Sequence, residues 1–282
     1  MKKNSIGTTT ESAAKAAFTH VSHGARTFGT ALLLAGTLAM SGPAHAQSAK
    51  KLELVVPAYF DAQSDPADWN ALATSAASAP TTAILNPDNG PGKKADSAYF
   101  AAIAKVHAAG GKVIGYVSTK YGKRALSAVV QDINLYTQMY QVDGFFIDEM
   151  TADSKTAHVQ FYQSIYNYIK GLSANYQVTG NPGTNVPEIY ASLPVADQLV
   201  VFEDNAKAYT KFKASAWQAS YPVSRFVHMV YNVPAASLPG VAQFAAANGA
   251  GGIYVTSLTL PNPYKKLPSY WAAETSDAAA GR

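Results

Sequence analysis

"GFFIDEM", Gly144 to Met150, holds the pattern that decides the fold. Phe145, Phe146 and Ile147 run straight into two adjacent carboxylates, Asp148 and Glu149. Consecutive apolar residues mark a strand buried on both faces, as in a parallel sheet. Ionised oxygens are costly to bury without partners. Such a strand therefore ends either at a surface loop or at a site.

The flanking sequence favours a repeated unit. Similar apolar runs are "LELVVPAYF" (52–60), "TTAILNP" (81–87) and "KVIGYVST" (112–119) before it. After it come "YQVTGNPG" (176–183), "QLVVFED" (198–204), "RFVHMVYNV" (225–233) and "GGIYVTSL" (251–258). Helical spacing of apolar residues fills the intervals, for example in "RALSAVVQDINLYTQMY" (124–140). Eight β-then-α units predict an α/β chain closed into a single-domain (β/α)8 TIM barrel. A doubly wound open sheet is the competitor, but no Gly-x-Gly-x-x-Gly follows the first strand. The last helix is expected to begin within "PSYWAAE" (268–274), and the tail "TSDAAAGR" after Glu274 is expected to be disordered.

The first 46 residues read as an export signal. Lys2, Lys3, Lys15 and Arg26 precede the apolar run Phe28 to Met40, and Ala44-His45-Ala46 is a small-residue cleavage pattern. The run is too short for a spanning helix, which needs about 20 residues. The expectation is residues 1–46 as signal peptide and 47–282 as the barrel domain, in the periplasm or outside the cell, with no stable membrane insertion. Without that segment, which holds four basic residues and one acidic, 18 of 22 basic and 17 of 18 acidic residues remain, a net charge of +1. A clustered basic face for nucleic acid is therefore not expected. A monomer is.

Chemistry in such a barrel sits at the carboxyl ends of the strands. Those ends supply Tyr59, Asn86, Tyr116 with Tyr121 just beyond, the pair Asp148 and Glu149, Asn181, the pair Glu203 and Asp204, Tyr231, and Tyr254. Cysteine is absent, and His107 and His158 fall in helices. His228 lies mid-strand and reads as a core residue. A metal site is therefore not expected, nor any cofactor, and no G-x-S-x-G elbow appears. Carboxylates on two strands suit glycoside hydrolysis, which needs one protonated acid and one ionised carboxylate. Tyrosine rings suit the apolar face of a pyranose.

Six stretches occur in order: "NPDNGPG" (86–92), "GYVSTKYGKR" (115–124), "DINLY" (132–136), "VDGFFIDEM" (142–150), "GNPGT" (180–184) and "VVFED" (200–204). Together they resemble the spherulin-4-like family of glycoside hydrolases. The resemblance implies a (β/α)8 barrel that cleaves, in endo fashion, α-1,4-linked N-acetylgalactosamine stretches of a secreted polysaccharide such as galactosaminogalactan. It implies Asp148, Glu149 and Glu203 as the essential acids. Related galactosaminidases imply Asp148 as nucleophile and Glu203 as acid/base, with Glu149 orienting groups, binding an amino-sugar substituent or tuning its neighbour. By position, substrate contacts are expected at Tyr59, Asn86, Tyr116, Tyr121, Arg124, Asn181, Tyr231 and Tyr254. An inverting hydrolase and a non-catalytic polysaccharide-binding or matrix protein on the same barrel are the alternatives.

Overall fold

A computed structural model describes residues 51–281, so the expected export signal lies outside the described residues. Eight parallel strands close a barrel in sequence order. They are β1 (Glu53–Ala58), β2 (Thr81–Leu85), β3 (Lys112–Ser118), β4 (Gly144–Asp148), β5 (Gln177–Gly180), β6 (Gln198–Asn205), β7 (Phe226–Tyr231) and β8 (Gly252–Val255). The open-sheet alternative is excluded by the β1–β8 pairing, Glu53 with Gly252 and Leu54 with Ile253.

Helices α1 (Pro66–Ala76), α2 (Ser97–Ala108), α3 (Leu126–Met139) and α4 (Thr156–Leu172) cover the first half. Pro66 begins α1, where its missing N–H is harmless. Asp96 caps α2 by accepting from Ala98 N at 2.9 Å. The second half is more sparsely covered. Helices α5 (Ile189–Ser192) and α6 (Ala206–Tyr209) are single turns, followed by α7 (Leu238–Ala247) and α8 (Trp271–Ala280). The segment after β6 holds α6 and then a short 3-10 turn at Ala216–Ser220. His228 is fully buried on β7, where its Nδ1 meets the Tyr209 hydroxyl at 2.7 Å, and burial lowers its pKa to about 3.

Inside the barrel, the amino-terminal end is plugged by polar groups. Thr82 donates to Glu53 at 2.6 Å, and Gln198 Nε2 donates to the same carboxylate at 2.9 Å. Side chains then alternate inward and outward along each strand. In β6 the alternation is broken by a register shift between Val200 and Phe202 against β7. Starting from Gln198 inside, strict alternation turns Asp204 inward and Glu203 outward. The extra residue reverses this parity. Phe202 packs outside against Tyr209 and Phe212, and Glu203 faces the barrel mouth beside its partner Met229.

The tail after Glu274 is helical, contrary to the expectation of disorder. Its alanines favour helix, and one face is buried: Thr275 bonds Ser75 at 2.9 Å, Ala278 is 1% exposed, and Leu52 N donates to Ala278 O at 3.0 Å. Glu274, 2% exposed, accepts from Val255 N at 2.6 Å. It supplies the acceptor just past the point where β1–β8 pairing stops at Ile253. Truncation after Glu274 is expected to lower stability by about 2 kcal/mol, or roughly 4–8 °C in Tm for a domain of this size, read by thermal denaturation.

Candidate active site

The carboxyl ends of the strands enclose a cleft of about 650 Å³. Its floor is a pair of acids joined by one amide. Asn181 Nδ2 donates to Asp148 Oδ1 at 2.7 Å and to Glu203 Oε2 at 2.6 Å. These two oxygens are therefore no farther apart than the sum of those distances, 5.3 Å. The amide's orientation follows from its neighbours, because only its NH2 can face two acceptor oxygens.

Each acid has further donors. Beside Asp148, in addition to Asn181, stand the Tyr116 hydroxyl and the Glu149 backbone N–H, both of which favour its charged form. Glu203 Oε1 accepts from the Tyr264 hydroxyl at 2.6 Å. Burial first, and then the charge of Glu203, push Asp148 up to about 6 against these donors. The Asn181 amide can only donate, which favours an ionised Asp148. The Tyr264 hydroxyl can reverse and accept from a protonated Glu203.

Adjacent strand residues point to opposite faces, yet Asp148 and Glu149 both line the cleft. The strand has ended. Glu149 takes φ +51°, a left-handed conformation that costs a non-glycine residue roughly 1–2 kcal/mol. Neighbouring loops hold it there: Tyr121 N donates to Glu149 O at 2.7 Å, and the Thr119 hydroxyl donates to Glu149 O at 2.8 Å. The Glu149 side chain accepts from the Ser118 hydroxyl.

Of the remaining expected residues, Tyr59, Asn86, Tyr116, Tyr121 and Tyr231 line this cleft. Tyr121 is 55% exposed at its edge. Asn86 Oδ1 is occupied by Gly90 N at 2.8 Å, and Tyr231 donates to Asp204 at 2.9 Å. Two residues are placed elsewhere. Arg124 lines an adjoining groove, where it pairs with Asp132 at 2.7 Å. Tyr254 has no exposed surface and packs behind Tyr264, ring centroids 5.9 Å apart. Its inward position was predictable, but the loop after β8 folds over it.

That loop supplies what strand-end reasoning missed. Tyr264 stands edge-on to Tyr59 at 5.6 Å, and Tyr59 edge-on to Tyr116 at 5.6 Å, forming an aromatic wall. The proline-spaced run "LPNPY", Leu260 to Tyr264, was the available signal, since loops after barrel strands build active sites. Among the described residues no cluster of three His, Cys, Asp or Glu is arranged to hold a metal ion, and no helix is long and apolar enough to cross a membrane.

Comparison with known proteins agrees with this architecture. A model of the spherulation-specific family 4 matches residues 53–278. Spherulin-4 of Physarum polycephalum is 31% identical over 243 residues, covering 82% of this chain and 71% of that protein. Among solved structures, Sph3 of Aspergillus clavatus in complex with GalNAc superposes with a TM-score of 0.72 at 25% identity, covering 82% of this chain and 98% of its own. The cyclic α-maltosyl-(1→6)-maltose hydrolase of Arthrobacter globiformis, at TM-score 0.52 and 11% identity, covering 82% of this chain and 81% of its own, shares the fold alone.

The raised pKa of Asp148 fixes the sign of a pH effect. The folded value of about 6 lies above the ordinary carboxylate value, so the favourable contribution is complete below about pH 4 and is lost as pH rises through 6. Denaturant unfolding of wild type should lose on the order of 2 kcal/mol across that window relative to Asp148→Asn, which lacks the titration. Parallel stability curves for the two proteins would remove the assignment.

Proposed function

Because this chain belongs to the spherulation-specific family 4, we propose that its cleft is the active site of a polysaccharide-cleaving glycoside hydrolase. The observation that carries this reading is the Asn181 amide holding Asp148 and Glu203 together at the cleft floor. Glycosidases that retain anomeric configuration space their two carboxyls at about 5–5.5 Å, and inverting ones at about 6.5–9.5 Å. The bridged oxygens support retention.

Asp148 is the nucleophile and Glu203 the acid/base. Glu203 gives its proton to the departing glycosidic oxygen as an Asp148 oxygen attacks the anomeric carbon, forming a glycosyl-enzyme. Water then attacks that carbon while Glu203 takes back a proton, and the Asp148 ester bond breaks. Tyr264 holds the Glu203 carboxylate between steps. Glu149, anchored by Ser118, stands ready for a substituent of the bound sugar. The wall of Tyr59, Tyr116 and Tyr264 stacks the pyranose.

The GalNAc bound to Sph3 supports an N-acetylhexosamine substrate, and α-1,4-linked N-acetylgalactosamine is the linkage proposed here. Endo action is supported by a cleft that continues sideways into a second groove. The enzyme acts outside the cytoplasm.

Asp148→Asn and Glu203→Gln should stay folded and lose roughly 10²–10⁴-fold in kcat on amino-sugar polysaccharide, measured as new reducing ends. NMR of the first product should show the starting anomer, and the opposite anomer would mean inversion. Wild type that binds polymer without releasing reducing ends would make this a binding protein. Tyr264→Phe should lower kcat about tenfold with a smaller change in KM, since one hydrogen bond to a charged group is lost.

A further inference from the structure

Among the described residues, the two large apolar side chains most open to solvent are Leu260, 65% exposed, and Tyr121, 55%. Single exposed apolar residues are ordinary on a protein surface. These two, however, line the same cleft as the acids. Tyr121 stands in the loop after β3 and Leu260 in the loop after β8. On the ring of strands, β4, β5 and β6, whose ends supply Asp148, Asn181 and Glu203, lie between those two positions. The open apolar surface is thus set on two rims that flank the acids.

Each rim is held in place by the site it borders. Lys120, Tyr121 and Gly122 are left-handed in succession, at φ +47°, +54° and +72°. Only glycine adopts that conformation without strain, so the two residues before it need bracing. Tyr121 N donates to Glu149 O at 2.7 Å, and Lys120 N donates to the Ser118 hydroxyl oxygen at 3.2 Å. Glu149 and Ser118 are already paired with each other, so the ring and the third acid share one support. Strain of this kind gathers at ligand clamps. Tyr116 and Tyr264 are buried and packed on Tyr59, whereas Tyr121 keeps its ring open. Across the mouth, Pro261 and Pro263 restrict the backbone beside Leu260. That loop is tied down at Tyr264, which donates to Glu203 at 2.6 Å.

We propose that Tyr121 and Leu260 grip the two sugars that flank the one held at the acids, each against an apolar C–H face of a pyranose ring. An aromatic ring and a branched aliphatic chain both match such a face, and neither asks for charge on the sugar. This rests on the hydrolase reading above and deepens it. The ligand that fills the mouth is an internal stretch of polysaccharide, with one sugar at the acids and one on each rim. A single sugar covers the acids and reaches neither rim.

The test uses Glu203→Gln protein, which does not consume its ligand, and calorimetric titration with two probes. One is N-acetylgalactosamine; the other is its α-1,4-linked hexasaccharide. Tyr121→Ala and Leu260→Ser, added singly at these exposed positions, should leave Tm unchanged and weaken the hexasaccharide about three- to tenfold each. The two losses should multiply in the double variant, since the rims are separate. Tyr121→Phe keeps the ring and should stay within about twofold of the parent. Loss on the monosaccharide should be far smaller than on the hexasaccharide. Hexasaccharide affinity unmoved by both single substitutions, or equal losses on the two probes, overturns the proposal. In that event, release of reducing ends from polymer by wild type keeps the hydrolase reading. If wild type cleaves no amino-sugar polymer while the rim substitutions still weaken the hexasaccharide, the grip stands and the hydrolase reading falls. If neither probe binds and no polymer is cleaved, both fall.

Discussion

One side-chain amide sets the electrostatics of this molecule's mouth. Asn181 donates both of its hydrogens to acids from different strands, β4 and β6, and its own strand lies between them. Two carboxylates brought this close repel when both are ionised. A neutral donor between them lessens that repulsion without driving both to ionise, as the charge of a lysine or arginine would. Burial acts in the same direction at Asp148, because low-dielectric surroundings penalise its charged form.

The rest of the barrel serves to deliver those groups to one place. The polar plug of Glu53, Thr82 and Gln198 closes the opposite end, so the cleft opens on one side. The extra residue in β6 turns Glu203 inward. The left-handed turn at Glu149 brings a third acid to the same rim. The last two are local departures from regular strand geometry, and they serve the end where the chemistry is gathered. Departures of this kind carry a conformational cost that the surrounding contacts must hold in place.

This explains which parts of the molecule were legible in the sequence. Strand and helix alternation reports burial, and burial is what builds the barrel, so the eight units could be read with only small errors at their ends. The strand-end list named Asp148, Asn181 and Tyr116, and these do reach the cleft, because those strands are regular. It could not choose between Glu203 and Asp204, since alternation points to Asp204 and the bulge leaves no signature in residue type. Family resemblance supplied the choice. Tyr254 was named and Tyr264 missed for a different reason: the loop after β8 packs against the strand, a long-range event that no local pattern records. The helical tail was missed because alanine-rich sequence is compatible with both a solvated end and a packed helix, and only its contacts with Leu52 and Ser75 decide.

The last of these features bears on how the site is tied together along the chain. Tyr264, which holds Glu203, stands 61 residues beyond it, in the loop between β8 and α8, and the buried Glu274 of α8 fastens the end of β8. The acid is thus steadied by a segment remote from it in sequence. A single proteolytic nick between β8 and Tyr264 would leave Asp148, Asn181 and Glu203 in place and still loosen the grip on the acid.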